Sequence, residues 1–337
     1  MKTTYTAAQA SQTGLLELVE RPIPVPRTGE VLLALEACGI CGADMMTVEN
    51  INPDFFPRVP GHEVVGRIIA LPEHTLGSWE IGQRVGVGRL GGHCNQCSEC
   101  RQGLFNLCNQ QPIMGSTHDG GYAEMMIAKE TGLVAIPDEL SSVEAAPLLC
   151  AGIATFNALK KSGAQAGDLV AIFGIGGLGH LAIQYAKKMG FKVVAIGRGQ
   201  DIAEQSTKLG AHIYINTDLE NAVEKLQHLG KAQVILSTIT NGEITSNLFA
   251  GLAPHGKLMI VGVGKEPLTI PTPSLVGGER SVQGAITGTP YEIERTLDFS
   301  VLTNTRAMIE TYPLEQVQEA YLKMKSGQAQ FRIVLTM

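Results

Sequence analysis

Residues 169–190 read LVAIFGIGGLGHLAIQYAKKMG. A run of strand length, apolar at every position, passes through a glycine-rich turn into helical spacing that stops at Gly190. A strand with no polar face is covered on both sides, as in a parallel sheet flanked by helices. The texture then repeats: KVVAIG (192–197) as strand, DIAEQSTKLG (201–210) as helix, HIYI (212–215) as strand and DLENAVEKLQHLG (218–230) as helix. QVILST (233–238) and KLMIVGVG (257–264) add two strands. Strands alternating with helices predict an α/β chain built on a doubly wound parallel sheet of the Rossmann kind.

The turn GIGGLG has the form G-x-G-x-x-G. A plain tight strand–helix turn would satisfy that pattern, but the strand before it and the helix after it point to a dinucleotide. Gly174 permits the turn, Gly176 lets a pyrophosphate approach the backbone, and Gly179 lets helix and strand pack closely. With Gly177 and Leu178 these residues open a helix whose free N–H groups suit phosphate. The end of the next strand reads Gly197-Arg198-Gly199-Gln200, with no acid before Asp201. A carboxylate there would hold a ribose 2′-hydroxyl, whereas an arginine fork suits a 2′-phosphate. Absence and presence both favour NADP(H) over NAD(H), although Arg198 also reads as a solvated surface residue. Val261 and Val263, at the end of KLMIVGVG, complete the candidate cofactor-binding set.

Before about residue 140 the chain instead offers short β segments between glycines and prolines: LLELVE, EVLLALEA, VVGRIIAL, RVGVGRL and YAEMMIA. After about residue 280 come SVQGAI, helices near 290–303 and 314–326, and a terminal FRIVLT strand. That tail is too short for a core of its own and is expected to rejoin the first domain. The expected domains are therefore 1–149 with 280–337, and 150–279 for the dinucleotide; 337 residues suffice for both.

A net charge of −6 with no basic run argues against nucleic acid and anionic membrane as partners. The polar N-terminus MKTTYTAAQASQTG lacks a signal-peptide core, and AAPLLCAGIATF is too short to span a bilayer. A soluble, cytoplasmic protein is expected.

Seven cysteines, an odd number, do not suggest a disulfide framework. Four lie in CNQCSECRQGLFNLC (94–108), spaced C-x2-C-x2-C-x7-C. Thiolates from one short polar loop can surround a single Zn²⁺ and leave no open position, so Cys94, Cys97, Cys100 and Cys108 read as a structural site. An Fe–S cluster has the same ligands but lacks accompanying electron-transfer features. Cys38, Cys41 and Cys150 remain. Cys38 and Cys41, in CGICGADMM, read as a redox dithiol, as metal ligands or as buried apolar groups; a thioredoxin-like setting for the first is missing.

CGICGAD, PGHEVVG (60–66), the cysteine loop, APLLCAGIATFNAL and GIGGLG occur in order over nearly the whole chain. The set resembles the zinc-containing medium-chain alcohol dehydrogenases, nearest in character to microbial and cinnamyl-type members. The resemblance implies a GroES-like, β-rich catalytic domain made of the N-terminal part and the C-terminal tail, beside the Rossmann cofactor domain. It implies a catalytic zinc on Cys41, His62 and Cys150 in the cleft between domains; Cys₂His with an open position is the known alcohol dehydrogenase pattern. Glu63 would lie beside that metal and help exchange ligands, and Asp44 would accept a hydrogen bond from His62. Cys38 then reads as a small core residue. Two zinc ions per chain, a small alcohol or aldehyde as substrate, and a homodimer or homotetramer are the corresponding expectations.

Two departures stand out. Relatives carry Ser or Thr two residues after the first zinc cysteine, and often His three residues further on, to pass the alcohol's proton outward. This chain has Ala43 and Met46, neither of which can carry a proton. Arg89 stands where related enzymes often place an aromatic at the pocket wall, and suits a polar substrate or simply water. An alcohol dehydrogenase or aldehyde reductase is the expected function, with a reductase of a C=N or conjugated C=C bond as the alternative. A non-catalytic zinc and nucleotide binder is a third, more distant reading.

Overall fold

The computed structural model describes residues 3–12, 14–50, 52–75 and 77–337. Met1, Lys2 and Thr13 of the polar N-terminal stretch lie outside them. The chain forms two compact units, Met1–Ile153 with Thr287–Met337, and Ala154–Ile286. Both boundaries fall a few residues beyond 149/150 and 279/280, so Cys150 belongs to the first unit.

Among the described residues seven strands come first: β1 (Thr4–Ala10), β2 (Leu16–Pro22), β3 (Glu30–Ile40), β4 (Val64–Ala70), β5 (Arg84–Val87), β6 (Met125–Lys129) and β7 (Leu133–Ala135). The second unit supplies β8 (Leu169–Phe173), β9 (Lys192–Gly197), β10 (Ile213–Asn216), β11 (Ala232–Ser237), β12 (Leu252–Ile260) and β13 (Ser281–Gly284). The chain then returns to the first unit with β14 (Ile309–Pro313) and β15 (Arg332–Thr336).

In the first unit β3 is the organising strand. It pairs antiparallel with β4, with β15 and with β6, in a sheet ordered β14-β15-β3-β4-β5-β7. Its length and its apolar run through Cys38 and Ile40 suit a strand buried on both faces near its end. Register sets Cys38 opposite both Leu335 of β15 and Val64 of β4. The ends of three strands are thereby brought together, and they carry Cys41, His62, Glu63 and Arg332. The core beneath them includes Leu33, Ile40, Val64, Ile68, Tyr122 and Leu335.

In the second unit the six strands are all parallel, ordered β10-β9-β8-β11-β12-β13. This is the 3-2-1-4-5-6 order in which the connections reverse beside the first strand, β8. All five β8 residues are buried, as an alternation-free sequence requires. Its C-terminal end opens directly into the glycine turn and the helix Gly179–Lys188. No single helix among the described residues is long and apolar enough to cross a membrane.

Candidate active site

In the first unit Cys41, His62, Glu63 and Cys150 each offer a ligand atom, and these atoms all lie within 4.8 Å of one another. All four residues are buried. Cys41 follows β3, His62 and Glu63 directly precede β4, and Cys150 closes the 3-10 turn Ala146–Leu149. The position of Cys150 is set by Pro147 at the start of that turn and by the capped helix before it, where Ser141 and Glu144 form a capping box.

Two buried atoms in the group have no hydrogen-bond partner, His62 Nε2 and Glu63 Oε2. Orphaned polar atoms in a dry interior are costly and so call for an unseen partner. Beside two thiols, a cation fits these two atoms. The other face of His62 is fixed, because Nδ1 meets Asp44 Oδ1 at 2.9 Å. A carboxylate only accepts, so Nδ1 keeps its proton toward Asp44, and Nε2 is the ring atom left to face a metal once its own proton is displaced.

Before any cation is considered, the group already segregates charge. The Cys150 thiol donating to Cys41 holds the Cys41 sulfur well below the usual thiol range, against burial and with help from His62. That bond and burial push Cys150 well above it, so the two sulfurs share one proton. Burial favours a neutral His62 ring, but the Asp44 carboxylate outweighs it and raises His62 to about 10. Burial also raises Glu63 to about 7, against the pull of the Arg332 guanidinium, which donates to its Oε1.

Arg332 was not foreseen from sequence, although a charge opening the apolar strand RIVLT is a usable signal. Tyr122 was not foreseen either; its hydroxyl donates to Asp44 Oδ2 at 2.8 Å. Ala43 is half-buried and Met46 exposed, and the neighbouring Thr47 hydroxyl is committed to the Gly115 carbonyl at 2.5 Å. Cys38 is buried in the core. Arg89 is half-buried.

Cys94, Cys97, Cys100 and Cys108 form a second group with the same 4.8 Å limit. Cys94 and Cys100 sulfurs stand 3.9 Å apart, as do those of Cys97 and Cys108. A tetrahedron with metal–sulfur bonds of about 2.3 Å has edges of about 3.8 Å, so the loop is already spaced for one ion. Backbone N–H groups of Gln96 and Cys97 lower Cys94 to about 6. Burial raises Cys100 to about 12.

In the second unit the glycine turn divides by role. A Cβ on Gly179 would come within 1.9 Å of the Gly174 carbonyl oxygen, so the fold itself demands that glycine. A Cβ on Gly176 would meet nothing within 4 Å. Gly176 therefore leaves room for something outside the chain, and the helix beyond it, which begins at Gly179, has no side-chain cap from Leu178 on its N–H groups. An anion fits there. Gly177 and Leu178 complete the turn. Gly197, the last residue of β9, is half-buried and Arg198 exposed, while Tyr214 donates to the Gly199 carbonyl at 2.7 Å. Asp218 accepts from the Gly199 N–H at 3.0 Å, an acid at this loop that the linear order of the sequence concealed. Val261 is half-buried, and Val263 is exposed.

Comparison with known proteins finds a family model for each of two stretches of the chain. Residues 27–138 match the alcohol dehydrogenase GroES-like domain and residues 177–301 the zinc-binding dehydrogenase domain. The chain is similar to the alcohol dehydrogenase notN of Aspergillus sp. (strain MF297-2), with 39% identity over 99% of this chain and 98% of that one. It is 38% identical to an alcohol dehydrogenase of Geobacillus stearothermophilus over 95% of each chain. Among solved structures, an acetophenone reductase from Geotrichum candidum in complex with NAD superposes with a TM-score of 0.87 at 25% identity, covering 100% of this chain and 98% of that one.

Proposed function

The chain belongs to the zinc-type medium-chain alcohol dehydrogenase family, and on that premise we propose a zinc-dependent alcohol dehydrogenase or aldehyde reductase that moves a hydride between NADP(H) and a primary or secondary alcohol or its carbonyl. The observation that carries the reading is the buried quartet of Cys41, His62, Glu63 and Cys150, with two of its polar atoms unpartnered.

Cys41, His62 and Cys150 would hold the catalytic zinc, with Glu63 as an exchangeable neighbour, and Cys94, Cys97, Cys100 and Cys108 a structural one. Zinc in the first position supplies Lewis acidity toward an alcohol or carbonyl oxygen, and the nicotinamide supplies the hydride chemistry. The chain's own part is to place and tune. Asp44 keeps His62 in one tautomer, and Arg332 balances the charge of Glu63. Gly174, Gly176, Gly177, Leu178 and Gly179 would receive the pyrophosphate, with Gly197, Arg198, Val261 and Val263 along the rest of the dinucleotide. Arg198 supports NADP(H), and Asp218 opposes it.

Between Gly42 and Thr47 only Asp44 could accept a proton, and it is already met by four donors. That stretch then offers the proton of an alcohol no side-chain route, which leaves water or the neighbouring Glu63 to take it. The same gap favours a second reading, a reductase of a C=N or conjugated C=C bond on this scaffold. Zinc-replete protein turning over simple aldehydes with NADPH supports the first reading. Inertness toward aldehydes and alcohols, with reduction of an iminium or enone, replaces it with the second. A homo-oligomer acting on a small molecule in the cytoplasm completes the proposal.

A further inference from the structure

The Asp44 carboxylate is met by four donors. Oδ2 accepts from the Cys41 N–H at 2.9 Å and from the Tyr122 hydroxyl at 2.8 Å. Oδ1 accepts from His62 Nδ1 at 2.9 Å and from the Gly61 N–H at 3.3 Å. Two of these donors are backbone, and one is the ring that Asp44 serves. Among the described residues only Tyr122 is a separate side chain, and it comes from 78 residues away.

The phenol has little freedom. Tyr122 is wholly buried, its N–H donates to the Pro60 carbonyl at 3.0 Å, and its own carbonyl accepts from the Ala8 N–H at 2.7 Å. The ring lies against Gly61, where a Cβ would come within 2.5 Å of a ring carbon. Gly61 has φ +99° and directly precedes His62, so the residue that lets the ring in also sets the histidine's backbone. A phenylalanine would fill the same space. The hydroxyl is a buried polar group that packing alone does not call for, and its bond goes to the oxygen that does not touch His62. With that bond, the carboxylate is fixed in rotation and Oδ1 stays on Nδ1.

We infer that Tyr122 is a positioning residue for a cation held by Cys41, His62 and Cys150: its hydroxyl orients Asp44, which keeps the Nδ1–H tautomer of His62 and leaves Nε2 for the metal. The inference rests on the metal reading given above. Tyr122 touches no reacting atom, so its effect appears in how tightly and in what geometry the metal is held.

The test uses the full-length, zinc-loaded protein and follows zinc release to a chelator. Tyr122→Phe should weaken zinc at the His62 group by about 10–100-fold, the range for a partner that orients a metal ligand. Release from the Cys94–Cys108 loop and the circular dichroism should stay as in wild type. The cobalt-substituted variant should show shifted ligand-field bands, which a purely packing role would not produce. In an Asp44→Asn background the same change should add nothing, because the path runs through Asp44. Wild-type release by Tyr122→Phe, or an undiminished effect in the Asp44→Asn background, overturns the inference while the metal reading stands. A His62→Ala protein that keeps its zinc as wild type does would overturn the metal reading, and the inference with it.

Discussion

Arg332, the first residue of β15, donates its guanidinium to Glu63, the residue before β4, and both side chains are buried. The pair links the two strands that flank β3. Removing one partner of a buried pair leaves an uncompensated charge and costs about 3–5 kcal/mol. Arg332→Met should therefore lower the urea midpoint sharply, and adding Glu63→Gln should recover most of the loss. Failure of the second change to recover anything would mean that Arg332 acts through packing alone. The pH dependence has a definite sign. The folded pKa of Glu63 is raised to about 7, so its contribution is fully present below its unfolded value, near 4.5, and fades as pH rises through 7. Arg332→Met should be less damaging at pH 5 than at pH 8.

The two cysteine groups should separate on mutation. Cys41→Ser is expected to abolish turnover and leave about one zinc per chain, measured by atomic absorption. Cys100→Ser should instead reduce soluble yield or assembly, since the loop loses its tether. Full activity in Cys41→Ser would remove Cys41 from the site.

Metal uptake at the first group should expel protons. Cys41 and Cys150 share one, and His62, raised to about 10, holds another at neutral pH. Zinc must displace both, so about two protons should be released and apparent affinity should climb with pH. Calorimetry in buffers of different ionisation enthalpy reads the number directly. A release near zero would show that the quartet is already deprotonated.

Two opposite charges stand at the loop after β9: Arg198 lies within it, and Asp218, just past β10, accepts from its Gly199 N–H. Arg198→Ala should raise the KM for NADPH far more than that for NADH. Asp218→Asn should lower the KM for NADPH, because a carboxylate repels a 2′-phosphate. Equal use of both cofactors by the unaltered protein would count against the role given to Arg198.

Positioned acid–base groups are worth about 10²–10⁴-fold in rate. With Ala43 and Met46 in place, alcohol oxidation near neutral pH should be slow. Ala43→Thr with Met46→His should raise kcat for a simple alcohol and add the titration of the new histidine to the pH profile. If zinc and cofactor binding survive and kcat does not move, another group already carries the proton, with Glu63 the first to examine.

Much of this was legible because periodicity and spacing are local. The β9 range follows directly from KVVAIG, and the cysteine loop from its spacing. Three strands escaped: β7 and β14 are the short edges of their sheet, and β1 lies in the polar N-terminal stretch. β12 begins at Leu252, earlier than KLMIVGVG suggests, because pairing with β11 through an irregular register extends it. Tyr122, Arg332 and Asp218 were hidden for one reason. Their partners are distant in the chain, and only strand register brings them together.

The two ligand groups also differ in the length of chain that must be closed to make them. Cys94 through Cys108 is one short loop, whereas Cys41 and Cys150 enclose more than a hundred residues and the whole of β4–β7. Each doubling of a closed loop costs about 0.6 kcal/mol, so the longer span carries about 2 kcal/mol more before any fold exists to offset it. An emerging polypeptide can thus load its cysteine loop while most of the chain is still unmade. The other centre must wait until strands on either side of it have met. With zinc at both groups, as proposed, the cysteine loop would be the first to be filled as the chain folds.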